Sequence, residues 1–185
     1  MSADAGFEII ERSLVAETPY VRLEEVSLRG PAGDVAARTV VRVGGAVGLV
    51  AVDGDEVVLI RQYRTALDRA VLEIPAGKLD VPGEDPEQCA RRELAEEVGL
   101  APGRLEQIVH YYTSPGFTDE DILIYLATDL TPVAMNPIGP EEKAAEVVRV
   151  PVGEVAGLLS SIEDSKTVIG LQALLLRRAG LLGDS

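Results

Sequence analysis

A chain of 185 residues with 46% apolar side chains, dispersed among charges and glycines, can build one domain with a substantial core and lies outside the composition of disordered proteins. Its 17 basic and 31 acidic side chains leave a net charge of −14. That field excludes general binding of nucleic acid or anionic membrane, and makes any anionic substrate depend on bound cations or locally placed arginines.

The amino-terminal stretch MSADAGFEIIERS lacks a basic-then-apolar targeting pattern, and the longest clean apolar run, AVGLVAV at 46–52, is too short to cross a bilayer. The single Cys89 rules out an internal disulfide. A soluble, cytoplasmic protein is expected.

In chain order, period-two and β-branched patterns predict strands at 20–28, 35–43, 46–52, 57–63 and 71–74, with turn signals at Gly30-Pro31, Gly33-Asp34 and Asp53-Gly54-Asp55. Further strands are predicted at 106–112, 122–127 and 147–150, and helices at 86–98, 152–159 and 165–182. Strands dominate first and mix with helices later, which predicts an α+β or mixed-sheet fold rather than a doubly wound one. Residues 1–43 are too small for a core of their own and form an amino-terminal β subregion, packed on the main domain of 44–185 or on a second subunit.

The helix at 86–98 is the best-specified element. Asp85 suits the N-cap, Pro86 the first helical position, Gln88 the reciprocal capping position, and Gly99 the left-handed stop. Near its end, Glu93 and Glu97 lie one turn apart on one face, with Glu96 beside them. Like charges at this spacing oppose one another by roughly 0.2–0.5 kcal/mol per pair, and the negative end of the helix dipole adds to the cost. A solvated acidic face is the usual reading of an isolated E-x-x-E-E. Here the cluster follows an apolar strand and a Gly-rich loop (75–84), and such a loop with a carboxylate helix can enclose a hard cation such as Mg²⁺ between carbonyls and glutamates.

Gly77, six residues, Glu84, seven residues, then Arg92-Glu93-Leu94-Ala95-Glu96-Glu97-Val98-Gly99-Leu100 resembles the signature box of the Nudix hydrolases, G-x5-E-x7-R-E-U-x-E-E-x-G-U, with U a bulky aliphatic. The first gap is one residue longer than the strict form, and the surplus falls in the Pro/Gly loop, where a bulge is expected. The resemblance implies an α/β/α sandwich around a mixed sheet and hydrolysis of a nucleoside diphosphate linked to another group. It implies that Glu93, Glu96 and Glu97, with the carbonyl of Ala76, hold Mg²⁺ or Mn²⁺. Arg92 would orient a glutamate, while Glu84 and Gly99 would hold the loop and the helix end.

Outside the box, Pro115 within Ser114-Pro115-Gly116-Phe117, Gln62-Tyr63-Arg64, and Leu72-Glu73-Ile74-Pro75-Ala76-Gly77 resemble the ADP-ribose pyrophosphatases of that family. This implies cleavage of ADP-ribose to AMP and ribose 5-phosphate. Arg64 and Arg38 are candidates for phosphate or ribose, since the guanidinium fork suits phosphate oxygens. Glu73 is the candidate for an adenine amino group, and Phe117 for stacking. The simpler alternatives are a turn at Pro115-Gly116 and a surface arginine at a strand end.

His110 and Cys89 are expected to be structural, and Asp119-Glu120-Asp121 to be solvated loop acids. The aperiodic segment 132–145 reads as a mobile loop. In the resembling enzymes such a loop delivers the catalytic base, which makes Glu142 the first candidate here, Glu141 the second, and Glu146 a structural residue. The resemblance also points to a homodimer joined through residues 20–43, with Arg38 serving the neighbouring site. A GDP-mannose or other nucleotide-sugar hydrolase is the alternative enzyme, and a non-catalytic ADP-ribose-binding regulatory module the alternative from another class.

Overall fold

The computed structural model describes residues 6–182. Two compact units divide the chain, one made of residues up to 45 together with 112–121, the other of residues 46–111 together with those from 122 onward.

The first unit is a three-stranded antiparallel sheet of β1 (Glu8–Glu17), β2 (Arg22–Arg29) and β3 (Val35–Arg42), in that order. Two of these strands match the expected ones within two residues. The first was not expected, because EIIERSLVAE does not alternate. Two register shifts, between Ile9 and Glu11 and between Leu14 and Ala16, account for this, since each bulge inserts a residue and breaks the period of two. All ten residues of β1 are exposed. The 112–121 segment joins this unit through Val41 N–H to Phe117 O (2.8 Å) and a bridge between Val41 and Thr118. Arg42 ties Glu24 to Asp119 (3.1 Å each) and Thr113 Oγ1 donates to Glu120 (2.8 Å), so these two acids clasp the loop instead of standing free in solvent.

The second unit is built on a seven-stranded mixed sheet. Its main path runs β10 (Glu146–Pro151), β5 (Glu56–Arg64), β4 (Ala46–Asp53), β9 (Asp121–Pro132), β8 (Leu100–Tyr112), with β6 (Arg69–Glu73) on β5 and β7 (Ala76–Lys78) on β4. β4 and β9 are parallel, while β4 pairs antiparallel with β5 and β7. The unbroken apolar run of β4 is explained by burial on both faces. Val47, Leu49 and Ala51 pack under helix α1 (Pro86–Val98) with Cys89, Ala90, Leu94 and Val98. Val50 packs on the other side with Ile74, Ile124, and Leu171 and Leu174 of helix α4 (Ser165–Arg178). Fully burying one such side chain stabilises the fold by about 1.5–3 kcal/mol, so β4 is held firmly between two layers of helix. Short helices α2 (Pro140–Lys143) and α3 (Val155–Leu158) complete the unit.

This is the α+β architecture, with a mixed sheet between helices, that the resemblance of the signature box implies. The last helix ends at Arg178 rather than near 182, because Gly180 takes φ +70° and the chain turns away. Segment 132–145 is not a bare loop, since α2 lies within it. No helix among the described residues is long and apolar enough to cross a membrane.

Candidate catalytic and metal centre

Helix α1 forms as its caps dictate. Asp85 accepts the Gln88 N–H (2.8 Å), the Gln88 side chain accepts the Asp85 N–H (3.2 Å), and Gly99 closes the helix at φ +66°. A Cβ at Gly99 would lie 2.6 Å from Met135 Cγ, so the position needs glycine both for its backbone and for the chain that crosses it. The longer first gap of the box closes as a turn, with the Glu84 N–H on Val81 O (3.1 Å), and the helix register is unaffected.

Three glutamates emerge against β7. A Cβ at Gly77 would fall 1.9 Å from the Glu93 carboxyl carbon, so the loop lies directly on that side chain. The Ala76 N–H donates to Glu97 Oε2 (2.9 Å). Arg92 holds the group from the side: its Nε and Nη2 pair with both oxygens of Glu84 (2.9 Å each), and its Nη1 reaches Glu93 (2.6 Å) and Glu96 (3.1 Å). The box residues thus form one assembly, with Arg92 as the strut between the loop glutamate and the helix glutamates.

The electrostatics are unusual. Burial pushes the Glu97 carboxyl up to about 8, opposed by the Ala76 N–H and reinforced by Glu93 and Glu142. Burial likewise pushes Glu93 up to about 7 against the pull of Arg92, with Glu96 and Glu142 adding repulsion. No three His, Cys, Asp or Glu side chains among the described residues are pre-gathered as a cage, because Glu93 and Glu96 turn onto Arg92. The donor set still fits a hard divalent cation. It is all oxygen, clustered, and short of positive charge at its most buried member, and a cation relieves that strain.

Glu142 belongs to the same neighbourhood, since its charge raises both Glu93 and Glu97. Its Oε2 accepts from the Ile138 N–H (2.7 Å) and the Gly139 N–H (3.4 Å), which fixes the side chain and leaves Oε1 without a donor among the described residues. Glu141, next in the chain, is exposed. Glu146 begins β10 opposite Arg61.

The substrate-binding candidates fall into two groups, one per unit. In the second unit, Arg64 Nε and Nη2 pair with both oxygens of Glu73 (2.6 Å each), and Arg64 lies within electrostatic reach of Glu97. Glu73 is only 1% exposed and also accepts from Lys166. Its oxygens are therefore claimed by two cations. Burial alone would raise its pKa, but Arg64 and Lys166 together hold it below the usual carboxylate range.

In the first unit, Arg38, Pro115, Gly116 and Phe117 line a cavity of about 390 Å³ with Arg12, Arg42, Tyr112 and apolar strand residues. Ser114 shapes the loop beneath it, its carbonyl accepting the Phe117 and Thr118 N–H groups (3.1 and 3.0 Å). Cys89 is buried in the core as expected, its thiol pushed up to about 12 by burial. His110 is exposed on β8.

Sequence reasoning missed Lys166, Asp164 and Thr167. Asp164 was readable as an N-cap, but nothing local connects Lys166 with a glutamate 93 positions earlier.

The NUDIX domain profile matches residues 42–169. An ADP-ribose pyrophosphatase of Bacillus subtilis is 39% identical over 160 residues, 85% of each chain. One of Mycobacterium tuberculosis is 36% identical over 175 residues, 93% of this chain and 84% of the relative. A crystal structure of an ADP compounds hydrolase superposes with TM-score 0.85 and 26% identity, over 95% of this chain and 97% of that one.

Proposed function

The chain belongs to the Nudix family and is a pyrophosphohydrolase of the ADP-ribose pyrophosphatase-like kind, and on that premise we propose that it hydrolyses ADP-ribose to AMP and ribose 5-phosphate with Mg²⁺ or Mn²⁺. The observation that carries this is the assembly of Glu93, Glu96 and Glu97 against strand β7, strutted by Arg92. The two relatives named for ADP-ribose, each matched over most of its length, support the choice of substrate.

Nudix enzymes typically use divalent metals. In this chain Glu93, Glu96 and Glu97, with the Ala76 carbonyl, would hold one. A bound cation offsets the diphosphate charge and lowers the pKa of water for attack at phosphorus. The remaining work falls to the protein's own side chains. Arg92 fixes the directions of Glu93 and Glu96. Arg64, clamped by Glu73, offers its Nη1 to a diphosphate oxygen. Glu142 takes the proton of the attacking water at Oε1, a carboxylate being suited to that transfer.

A panel of ADP-ribose, GDP-mannose, NADH and dinucleoside polyphosphates, assayed with Mg²⁺ and again with EDTA, tests the reading. ADP-ribose should give the highest kcat/KM with AMP and ribose 5-phosphate as products, and EDTA should abolish turnover. A higher kcat/KM for GDP-mannose would replace the substrate, and tight binding of ADP-ribose without turnover would make the protein a sensor.

We propose also that the protein is a homodimer joined through residues 20–43 of the amino-terminal sheet. The neighbouring strand β1 exposes Ile9, Ile10, Leu14 and Val15 by 44–59%, a patch that favours cover by protein. A monomer by light scattering at micromolar concentration sinks that part.

A further inference from the structure

The amino-terminal turn of α4 is far from α1 in sequence, yet it grips the segment that leads into the metal-binding loop. Two contacts do this, and a third residue holds both in place. Lys166 donates to Glu73, the residue that clamps Arg64. Thr167 Oγ1 accepts the N–H of Ile74, the next residue (2.8 Å). Asp164 caps the helix at the Thr167 N–H (2.9 Å) and holds Lys166 from its far side (2.9 Å). Two residues beyond Ile74, the Ala76 N–H meets Glu97 (2.9 Å).

The charges alternate along this line: Arg64, Glu73, Lys166, Asp164. Glu73 is buried to 1% and Lys166 to 9%, whereas the Arg64 side chain is 42% exposed. Lys166 shares Glu73 Oε2 with Arg64 Nη2, so the carboxylate is claimed from two directions and its plane cannot turn. A carboxylate held by Arg64 alone would rotate with it, and would also offset the full arginine charge. Dividing the carboxylate between two cations leaves Arg64 both fixed and still electropositive at Nη1, which has no protein partner among the described residues. Preorganised cations of this kind strengthen phosphate binding because they do not reorient when the ligand arrives.

We infer that Lys166 is a positioning residue for substrate binding: through Glu73 it sets the direction and the free charge of Arg64, the group that receives the diphosphate. The inference rests on the proposed nucleoside diphosphate hydrolysis, and it places the origin of diphosphate affinity partly on α4, outside the signature box.

The test is a double-mutant cycle on the full-length protein with Mg²⁺, using whichever substrate of the panel is turned over. Lys166→Met keeps the stem and removes the charge. It should raise KM about tenfold, the lower end of what loss of an orienting outer partner costs, while kcat moves less than about threefold because the α1 carboxylates are untouched. Arg64→Lys should raise KM similarly, and the double variant should be no worse than Arg64→Lys alone, since residues acting through one contact are not additive. Lys166→Arg should restore most of the affinity.

Thr167→Val separates general loosening from positioning. It removes the hydroxyl's bonds to Ile74 and Asp164 but no charge, and should lower the melting temperature without the tenfold rise in KM. Lys166→Gln, which can still donate to Glu73, serves if the Met variant does not fold. Unchanged KM in folded Lys166→Met, or in folded Lys166→Gln where it stands in for it, overturns the proposal, as do strictly additive effects with Arg64→Lys. Loss of folding in both the Met and Gln variants also overturns it, by making Lys166 a stability residue. No turnover of any panel member by the wild type would instead defeat the functional reading.

Discussion

Two buried glutamates, Glu73 and Glu97, stand at opposite ends of a short stretch of the same unit, and the fold treats them in opposite ways. At the α4 end, Glu73 receives Arg64 on one side and Lys166 on the other, and is held below the ordinary carboxylate range. At the α1 end, Glu97 receives one backbone N–H and faces Glu93 and Glu142, and is pushed up to about 8. The protein can therefore neutralise a buried acid where neutrality serves the structure. At α1 it accumulates acids at a cost to the fold, the pattern expected where function rather than stability selects the residues. The first region fixes geometry and the second reserves charge for what it will bind.

The most forceful way to break this comparison is to neutralise Glu97. Glu97→Gln should lower kcat by more than the roughly 10–100-fold that loss of even an outer-shell partner costs. In EDTA its melting temperature should equal or exceed that of the wild type, since a buried repulsion has been removed. A variant that keeps full activity, or melts well below the wild type, would falsify the assignment of Glu97 to metal rather than to structure.

A second substitution sharpens which acids belong to the reserved set. Glu142→Gln should reduce kcat by about 10²-fold, the lower range for loss of general base catalysis, with substrate binding retained. Glu141→Gln and Glu146→Gln should cost little, because Glu141 is exposed and Glu146 lies at the edge opposite Arg61. If all three variants keep most of their activity, the proton goes elsewhere and α2 only borders the site.

Much of this was legible in the sequence, for identifiable reasons. Helix α1 is fixed by local chemistry, with Asp85, Pro86, Gln88 and Gly99 each acting within one turn, so its bounds agree with the pattern residue for residue. Strand β4 was visible as an apolar run because both its faces are covered. Strand β1 was not, since its two bulges scramble the alternation, and α2 is only four residues long. The box displayed the acids of the site together because they share one helix. The cations that balance Glu73 come from β5 and α4, and long-range pairing of that kind leaves no periodicity to read.

At the α4 end the mirror-image experiment is Glu73→Gln, and its effect should appear in stability before activity. Removing one partner of a buried ion pair costs roughly 3–5 kcal/mol. Arg64 is half exposed and can turn to water, so the lower figure applies, about 3 kcal/mol, which at 2–4 °C per kcal/mol is a drop of roughly 6–12 °C in melting temperature. A Glu73→Gln protein as stable as the wild type would mean that the two cations are not relying on this carboxylate.

The smallest effect, and the one that isolates Glu73 from every other acid, is the pH dependence of that same difference. The folded-state pKa of Glu73 lies below its ordinary value of 4.5, because Arg64 and Lys166 outweigh burial. Between the two values the unfolded chain binds more protons than the folded one, so stability rises with pH there and is fully present above about 4.5. As pH falls through the folded value, the contribution disappears. Comparing wild type with Glu73→Gln by denaturant unfolding at a series of pH values subtracts the titration of all the other carboxylates. The stability gap should be constant from neutral pH down to about 5 and should close progressively below about 4.5. A gap that instead widens on acidification would require Glu73 to be raised like Glu97. The two regions would then differ only in their neighbours and not in how the fold handles buried charge.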